Sequence, residues 1–499
     1  MKTLFNPLII LTIQWKGSPK YGMIDFPKPL ISYNKQGAAM SYDKTISLSL
    51  QKEIEKRNLP MESEIKSAME TLKVSRMLAR SAIMKKRGYA TAVLFYWLIL
   101  LPFLMKRITS LWSDAVIVRK INARKDTYYR FLNNERFNWR AFIFRLAVRI
   151  ISINGKTPLK DAVLIIDDTI EKKTGEHMEL VSYHFDHTSK RSVLGYQCVQ
   201  LGYHNGRSFF PLDYAFSVSQ NRPNRYIRTI GKRTQGYKRR KEAEKKKTDL
   251  AIDMVSRAYA QGIDASFVLF DSWYSHDSFI SNIMNIGYGV ICRLKKGRVN
   301  YTYQGKSYTL KQLWQNTAKK MTRSIHGFPY KGVCLKVLLP KSGEVSLLFV
   351  SDGKKEWHAF LCTDTEYDPS QILSLYARRW AIEVFFKDGK QLLYMGKEQS
   401  ETFDAAIAAY GLVVVRYLIL VYILNKYHSC TSCGPLFKEL VKTHCELLMM
   451  NTIWSSIKEV LILSSGLFLT EIDSDRFLSF LDIVEDAILM QEQKISAKL

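Results

Sequence analysis

Acidic residues lie at three points where the surrounding sequence predicts burial. Asp167 and Asp168 end the run "DAVLII", Asp271 follows "ASFVLF", and Glu383 lies in "YARRWAIEVFFKDGK". Ionised carboxylates at the ends of buried strands are costly unless they are paired or bind a metal ion. Carboxylate oxygens suit the hard cations Mg²⁺ and Mn²⁺, and two such ions ~4 Å apart can activate an attacking oxygen at a phosphodiester. The pattern therefore predicts a two-metal site built from two strands and a helix.

Local roles for the aspartates are the alternative. Asp168 could cap a turn with Thr169, and Asp271 could cap the helix after "SWYS". The adjacent pair also poses a choice, because neighbouring residues on a strand point to opposite faces of the sheet. Only one of Asp167 and Asp168 can therefore face the metal ions.

A polar stripe runs along the predicted helix 376–390. At ~100° per residue, four side chains fall within an arc of about 60°: Tyr376, Arg379, Glu383 and Lys390. The other faces are almost entirely apolar, which is typical of a buried helix. An exposed stripe with a Glu383–Lys387 pair would not explain those apolar faces. We therefore expect the stripe to face a cavity, with Arg379 and Lys390 neutralising phosphates beside Glu383.

Hydrophobic periodicity predicts the elements that must position these residues. Residues 44–150 have the spacing of amphipathic helices, and the runs at 161–169 and 265–271 predict buried strands. Residues 191–218 predict a hairpin that turns at His204-Asn205-Gly206. Residues 288–362 alternate β-like runs with turns, which predicts a mostly antiparallel insertion. The chain after residue 369 is predicted to be helical.

The excess of basic residues indicates a polyanionic partner. The chain has 499 residues, with 74 Lys and Arg against 46 Asp and Glu and a net charge of +28, and cations that neutralise phosphates release counterions. Residues 222–247 carry 12 Lys or Arg and two Glu, so we expect an exposed arm in which Arg239 and Arg240 contact DNA. Aromatic residues among basic ones at 120–152 predict a further DNA contact, unless these helices simply pack on a neighbour: Tyr128, Tyr129, Phe131, Phe137 and Trp139.

Composition argues against a membrane protein. The apolar run 91–104 spans about 21 Å as a helix, which is shorter than a ~30 Å hydrocarbon core. The run 411–425 is interrupted by Arg416, so both runs predict buried helices. Seven cysteines, an odd number spread thinly over the chain, favour reduced thiols in a cytoplasm.

The polar stripe also carries a resemblance to a known family. Tyr376, Arg379, Glu383 and Lys390 match the Y-x2-R-x3-E-x6-K signature of bacterial insertion-sequence transposases, in the branch named for insertion sequence four. "IIDDT" resembles that family's first-aspartate strand and "LFDSWYS" its second, over about residues 120–410. The resemblance implies an RNase H-like catalytic core that cuts and rejoins DNA at transposon ends. In some relatives a DNA hairpin intermediate forms.

Carried onto this chain, the resemblance implies a catalytic triad of Asp168, Asp271 and Glu383 that binds two Mg²⁺ or Mn²⁺ ions. Asp168 is chosen because it directly precedes Thr169, as in the family pattern. The residues expected to contact DNA are those of the signature and an aromatic residue beside the second aspartate: Tyr376, Arg379, Lys390 and Trp273. The implied partners are double-stranded DNA, as terminal inverted repeats and as target, and a second copy of the chain. The implied location is the bacterial cytoplasm, at the nucleoid.

The expected fold class is α/β, with an RNase H-like mixed-sheet core, a β-rich insertion and helical regions at both ends. The expected divisions are an N-terminal extension (1–43), a helical basic DNA-binding region (44–155), the first part of the core (156–287), the insertion (288–368), the second part of the core (369–425) and a helical C-terminal region (426–499). Two alternatives stay open. Another RNase H-like nuclease or resolvase would use the same triad, whereas a transposon-derived DNA-binding protein without catalysis would normally have lost one of its members.

Overall fold

One large mixed β-sheet organises the fold. The computed structural model describes residues 60–113, 121, 123–155, 158, 162–353, 356–398, 400–427, 431–468, 479–481 and 483–484. The predicted extension 1–43 lies outside the described residues. By their contacts, Glu55–Leu499 form one compact unit, and the predicted divisions within it stay predictions.

The sheet contains twelve strands in the described residues, in the order β2-β3-β1-β5-β6-β12-β11-β10-β7-β8, with β4 paired to β3 and β9 to β10. The strands are β1 (Val163–Lys172), β2 (Ser182–Asp186), β3 (Arg191–His204), β4 (Phe209–Ser217), β5 (Phe267–Phe270), β6 (Gly289–Arg293), β7 (Asn300–Tyr303), β8 (Lys306–Thr309), β9 (Arg323–Ser324), β10 (Lys331–Leu339), β11 (Gly343–Ser351) and β12 (Trp357–Cys362). β1, β5 and β6 are parallel to one another, and β3 is antiparallel to both β1 and β4. The fold is therefore mixed α/β, as predicted.

The hairpin and the insertion follow the sequence prediction. β3 and β4 form an antiparallel pair around a turn in which Gly206 has φ of 86°, a left-handed conformation that favours glycine. The insertion continues the sheet, because β12 pairs antiparallel with β6 and β11 with β12. Both predictions are confirmed.

Helices cover both faces of the sheet. They are α1 (Pro60–Thr71), α2 (Val74–Arg80), α3 (Thr91–Leu100), α4 (Lys125–Leu132), α5 (Trp139–Ile153), α6 (Gln235–Ala243), α7 (Lys247–Ala260), α8 (Asp277–Ile286), α9 (Leu310–Leu313), α10 (Lys319–Met321), α11 (Pro369–Ala377), α12 (Trp380–Gln391), α13 (Phe403–Tyr427) and α14 (Cys433–Phe468). A 3₁₀-helix spans Ile108–Ser113, and a π-helix, Trp314–Ala318, joins α9 to α10.

The two long apolar runs are helices of the core. In α3, six of the ten residues, including Phe95 and Trp97, are buried. One helix in the described part of the chain, Phe403–Lys426, is long and apolar enough to cross a membrane, and 89% of its most apolar window is buried inside the protein. The prediction of buried helices is confirmed for both runs.

The segment 376–390 is two helices rather than one. α11 begins at a capping box, in which Asp368 accepts hydrogen bonds from the N–H groups of Ser370 and Gln371, and it ends at Ala377. At the junction the chain makes i→i+3 hydrogen bonds, from Ala381 N to Arg378 O and from Ile382 N to Arg379 O. Tyr376 therefore lies on α11, whereas Glu383 and Lys390 share α12.

Candidate active site

The strand registers place Asp167 and Asp271 side by side. β1 and β5 are parallel and pair Val163 with Phe267 and Ile165 with Leu269. Continued by two residues, the same register sets Asp167 level with Asp271. Residues in register on parallel strands project to the same face, and the next residue along projects to the other. Asp167 therefore shares a face with Asp271, and Asp168 does not.

Arg379 joins this end of β1 to the helix that carries Glu383. Its Nη1 donates to Asp167 Oδ2 at 2.9 Å, and its Nη2 donates to Glu383 Oε1. The guanidinium carbon also lies 5.8 Å from the centre of the Tyr376 ring. Because one planar group contacts both carboxylates, Asp167 and Glu383 lie within reach of a shared ligand.

Lys390 contacts β1 two residues beyond Asp167. Its Nζ donates to Thr169 Oγ1 at 2.6 Å, and Thr169 lies on the same face of the strand as Asp167. Burial lowers the pKa of Lys390, and the nearby Glu171 carboxylate opposes that shift. Arg379, Glu383 and Lys390 therefore line the side of α12 that faces β1.

Tyr376 approaches the site from α11. Its ring packs edge-on against Phe360 at 4.9 Å. Burial raises the pKa of Tyr376, and the Asp271 carboxylate acts in the same direction. The hydroxyl therefore stays protonated at neutral pH as a hydrogen-bond donor near Asp271.

Negative charge is concentrated at Asp167. Burial raises the pKa of its carboxyl group to about 7, and the Asp168 and Asp271 carboxylates add to this shift while Arg379 opposes it. Burial combined with neighbouring like charges is a usual feature of functional carboxylates. A cation that replaced the charge of Arg379 there would be stabilised by several carboxylate oxygens.

Asp168 has a different environment, on the face of β1 that α7 covers. Its Oδ2 accepts a hydrogen bond from Gln197 Nε2 at 2.6 Å, and its Oδ1 accepts from Lys247 Nζ at 3.1 Å and Tyr274 OH at 3.0 Å. Three protein donors therefore satisfy this carboxylate. The sequence prediction chose Asp168 as the first metal ligand, whereas strand alternation and these contacts favour Asp167.

Asp271 caps the turn that follows β5, because its Oδ1 accepts the N–H of Trp273 at 3.0 Å. Its predicted role as the cap of the next helix is wrong, since α8 begins at Asp277 and its N-cap residue is His276. Trp273 is 40% exposed, and Lys247 Nζ lies 3.8 Å from its ring centre. This exposed ring therefore follows Asp271 in the turn, and the cation on it, Lys247, also contacts Asp168.

Carboxylate oxygens are the donors that Mg²⁺ and Mn²⁺ prefer. In the described part of the chain, no group of three His, Cys, Asp or Glu side chains is gathered closely enough to hold a metal ion without rearrangement. Arg379 supplies the positive charge between Asp167 and Glu383 instead. The donor chemistry fits divalent metal ions at Asp167, Asp271 and Glu383, provided that Arg379 turns away from the carboxylates.

Arg239 and Arg240, which were predicted to contact DNA, are buried. Arg240 donates to both carboxylate oxygens of Glu179 at 2.7 Å and to both of Asp404 at 3.0 and 2.8 Å. Arg239 Nη1 donates to the carbonyl of Tyr214 at 2.6 Å. Buried charges must be paired, so these two arginines hold the fold together and are not available to DNA. Other cations of the predicted arm are exposed both before α6 and within and after it, such as Lys238, Lys241 and Lys246.

The aromatic residues predicted to contact DNA in the N-terminal helices are mostly core residues. Tyr128, Phe131, Phe137 and Trp139 are all at most 5% exposed. The ring of Phe131 packs edge-on against Phe137 at 5.0 Å and against Trp139 at 6.4 Å. The alternative reading, helices packed on a neighbour, therefore explains these rings.

Two family models match the chain. A DDE superfamily endonuclease model matches residues 109–309, and a transposase DDE domain model matches residues 233–419. A comparison with curated proteins finds no match. The matched segments contain Asp167, Asp168, Asp271 and Glu383. These two segments are therefore similar to a DDE superfamily endonuclease domain and to a transposase DDE domain.

Proposed function

We propose that this protein is a transposase that binds the terminal inverted repeats of an insertion sequence and catalyses metal-dependent DNA cleavage and strand transfer. The observation that supports it most is the link that Arg379 makes between two carboxylates from distant parts of the chain, Asp167 on β1 and Glu383 on α12. Asp271 lies close enough to Asp167 to raise the pKa of its carboxyl group. Carboxylates gathered near one cation in this way are the donors that metal-assisted phosphodiester chemistry requires.

The strand order supports an RNase H-like core. β4-β3-β1-β5-β6 form a continuous part of the sheet, in which antiparallel β3 lies between β1 and β4. Asp271 directly follows β5, and Asp167 lies midway along β1. The β-rich insertion then separates β6 from the Glu383 helix, as the family resemblance implies.

Each residue of the site has a role in this proposal. Asp167, Asp271 and Glu383 would hold two Mg²⁺ or Mn²⁺ ions, which when bound activate the attacking oxygen and stabilise the leaving oxygen. Arg379 and Lys390 would bind the phosphate that enters the site, and the protonated hydroxyl of Tyr376 would donate to it. Trp273 would contact a sugar or base beside it. The active form would be a homodimer on two DNA ends.

The test measures cleavage and binding separately. The substrate is labelled DNA that contains the sequences flanking the gene, where short inverted repeats would lie. We expect Asp271→Asn and Glu383→Gln to reduce Mg²⁺-dependent cleavage by about 10³-fold, because several kcal/mol of charge stabilisation are lost. DNA binding should change by less than about threefold, because these carboxylates make no favourable contact with phosphates.

Asp253→Asn is the matched control. Asp253, on α7, forms an exposed ion pair with Lys245. Its replacement should therefore leave DNA cleavage and DNA binding unchanged. Undiminished cleavage by Asp271→Asn or Glu383→Gln would refute the proposed site. Joining of the cut ends to a target plasmid distinguishes a transposase from a nuclease, and a denaturing gel shows whether a hairpin forms.

A further inference from the structure

A strongly basic surface loop connects β4 to α6. This basic loop, residues 218–234, has five cationic residues and no Asp or Glu: Arg222, Arg225, Arg228, Lys232 and Arg233. Among the described residues, none of the five forms an ion pair with a carboxylate. Surface arginines usually lie among charges of both signs. The loop therefore presents a positive surface whose cations have no ion-pair partner among the described residues.

Two apolar side chains stand at the centre of the loop. Tyr226 is 63% exposed and Ile227 is 39% exposed, and both lie between Arg225 and Arg228. A ring that is held in solvent among cations offers a flat face for stacking. Phosphate binding by itself would require only the arginines.

The backbone of the loop is fixed. Asn224 Nδ2 donates to the carbonyl of His177 at 2.9 Å, and its Oδ1 accepts the N–H of Tyr226 at 2.8 Å. The N–H of Arg228 donates to Glu179 Oε1 at 2.8 Å, and Arg240 holds Glu179 from below. The loop is therefore ordered before binding, which lowers the entropic cost of contact with a ligand.

The basic loop follows β4, which lies two strands away from β1 and runs parallel to it. β1 pairs Asp167 with Gln200, and β3 pairs Gln200 with Tyr214 on β4. The loop begins after Ser217, which is three residues beyond Tyr214 on β4. β4 lies two strand spacings to the side of β1. These steps place Ser217, where the loop starts, about 14 Å from Asp167.

We propose that the basic loop binds an unpaired stretch of DNA next to the cleavage site. Tyr226 stacks on an exposed base, and Arg225 and Arg228 bind the phosphates on either side. A base in an intact duplex hides both of its faces, so the ring requires a strand that is open beside the cleavage site. This inference rests on the proposed function, because it assumes that the carboxylates cut DNA.

The experiment compares DNA binding by the full-length protein on three fluorescent probes. The probes are a single strand of about 12 nucleotides, the matching duplex, and a forked duplex with one open end. EDTA prevents cleavage. We expect Tyr226→Ala to weaken binding to the forked and single-stranded probes by about 5- to 100-fold and to the duplex by less than twofold. Tyr226→Phe should bind like the wild type, because the ring is kept.

The arginines give a second readout. Arg225→Ala should weaken binding to all three probes. It should also lower the slope of log affinity against log salt by about 0.7 on the single strand. Tyr259→Ala is the control, because Tyr259 is 55% exposed at the far end of α7 and should have no effect on any probe.

Two results would overturn the inference. One is wild-type binding of the forked probe by Tyr226→Ala, and the other is an equal loss on duplex and forked probes. Neither result depends on catalysis. Failure of the proposed function would appear separately, as cleavage by Asp271→Asn or Glu383→Gln while the Tyr226 effect persists.

Discussion

Asp167 and Asp168 are neighbours on one strand, but their carboxylates have different hydrogen-bond partners. The side chain of Asp168 is satisfied by Gln197, Lys247 and Tyr274. Among the described residues, the Asp167 carboxylate accepts hydrogen bonds from Arg379 and from the N–H of Asp168. A carboxylate with several side-chain donors must lose all of them to change its ligand, whereas Asp167 must lose one. We therefore propose that Asp167, and not Asp168, takes part in the chemistry.

Arg240 is a residue for which stability, and not DNA binding, is the expected readout. We expect Arg240→Ala to lower the free energy of unfolding by about 3–5 kcal/mol, because it leaves Glu179 and Asp404 buried without their cation. Urea unfolding followed by circular dichroism measures this loss. Arg233→Ala, in the exposed basic loop, should change the free energy by less than about 0.5 kcal/mol. Equal stability of the two variants would contradict the assignment of Arg240 to the core.

At the scale of the elements, Arg416 joins α13 to the end of α3 and to the residues that follow α12. Arg416, on α13, donates from Nη1 to the carbonyl of Leu393 at 2.9 Å and from Nε to that of Ile99 at 3.3 Å, and Nη2 donates to the carbonyl of Leu98. Leu98 and Ile99 are in the last turn of α3, where free carbonyl groups need donors. The arginine that interrupts the apolar run therefore caps one helix and fixes the exit of another.

Replacing this cation should destabilise the packing of the helices. We expect Arg416→Leu to lower the free energy of unfolding by about 2–4 kcal/mol, because buried carbonyl groups lose their hydrogen bonds. Arg416→Lys should retain part of this stability, since an ammonium group cannot reach all three carbonyls. Chemical denaturation of the wild type and both variants measures whether the free energy of unfolding falls from the wild type to Arg416→Lys and then to Arg416→Leu. A fully stable Arg416→Leu protein would show that water satisfies these carbonyls.

The sequence predicted those elements whose pattern is local. The hairpin at Gly206, the buried helices and the stripe on α12 follow from periodicity and turn chemistry. The break between α11 and α12 did not, because Arg378 and Arg379 are both compatible with a continuous helix. Burial of Arg240 and Trp139 was also missed, since their partners, such as Glu179 and Phe131, are identified only by tertiary contacts. The register of β1 against β5, which distinguishes Asp167 from Asp168, has no local signal.

For the whole molecule, the buried His204 contributes to the response of stability to acid. Burial lowers the pKa of His204 to about 4, and Arg378 adds to the shift. Its Nδ1 accepts the N–H of Gly206 at 3.0 Å, so protonation would break the turn. Because the folded pKa lies below the unfolded value of about 6.5, the stabilising contribution is complete above pH 6.5. It is lost as the pH falls towards 4.

His204→Gln should remove this part of the pH dependence. Between pH 6.5 and 4 the wild type should lose up to about 3 kcal/mol more stability than the variant. Thermal unfolding at matched pH values measures the difference between the two proteins. The two proteins must be compared because burial also raises the pKa of Glu171 to about 7. Glu171 changes the stability in the opposite direction as the pH falls, and it does so equally in the wild type and in the variant. Parallel pH profiles would show that His204 is protonated without cost.

The central claim is that Asp167, Asp271 and Glu383 bind divalent cations for DNA cleavage. The most direct measurement is Mn²⁺ binding to the wild type and to single variants, followed by electron paramagnetic resonance of the free ion. We predict that Asp167→Asn, Asp271→Asn and Glu383→Gln each weaken Mn²⁺ binding at least about tenfold, while Asp168→Asn keeps most of it. Equal Mn²⁺ affinity in all four variants and the wild type would contradict the account.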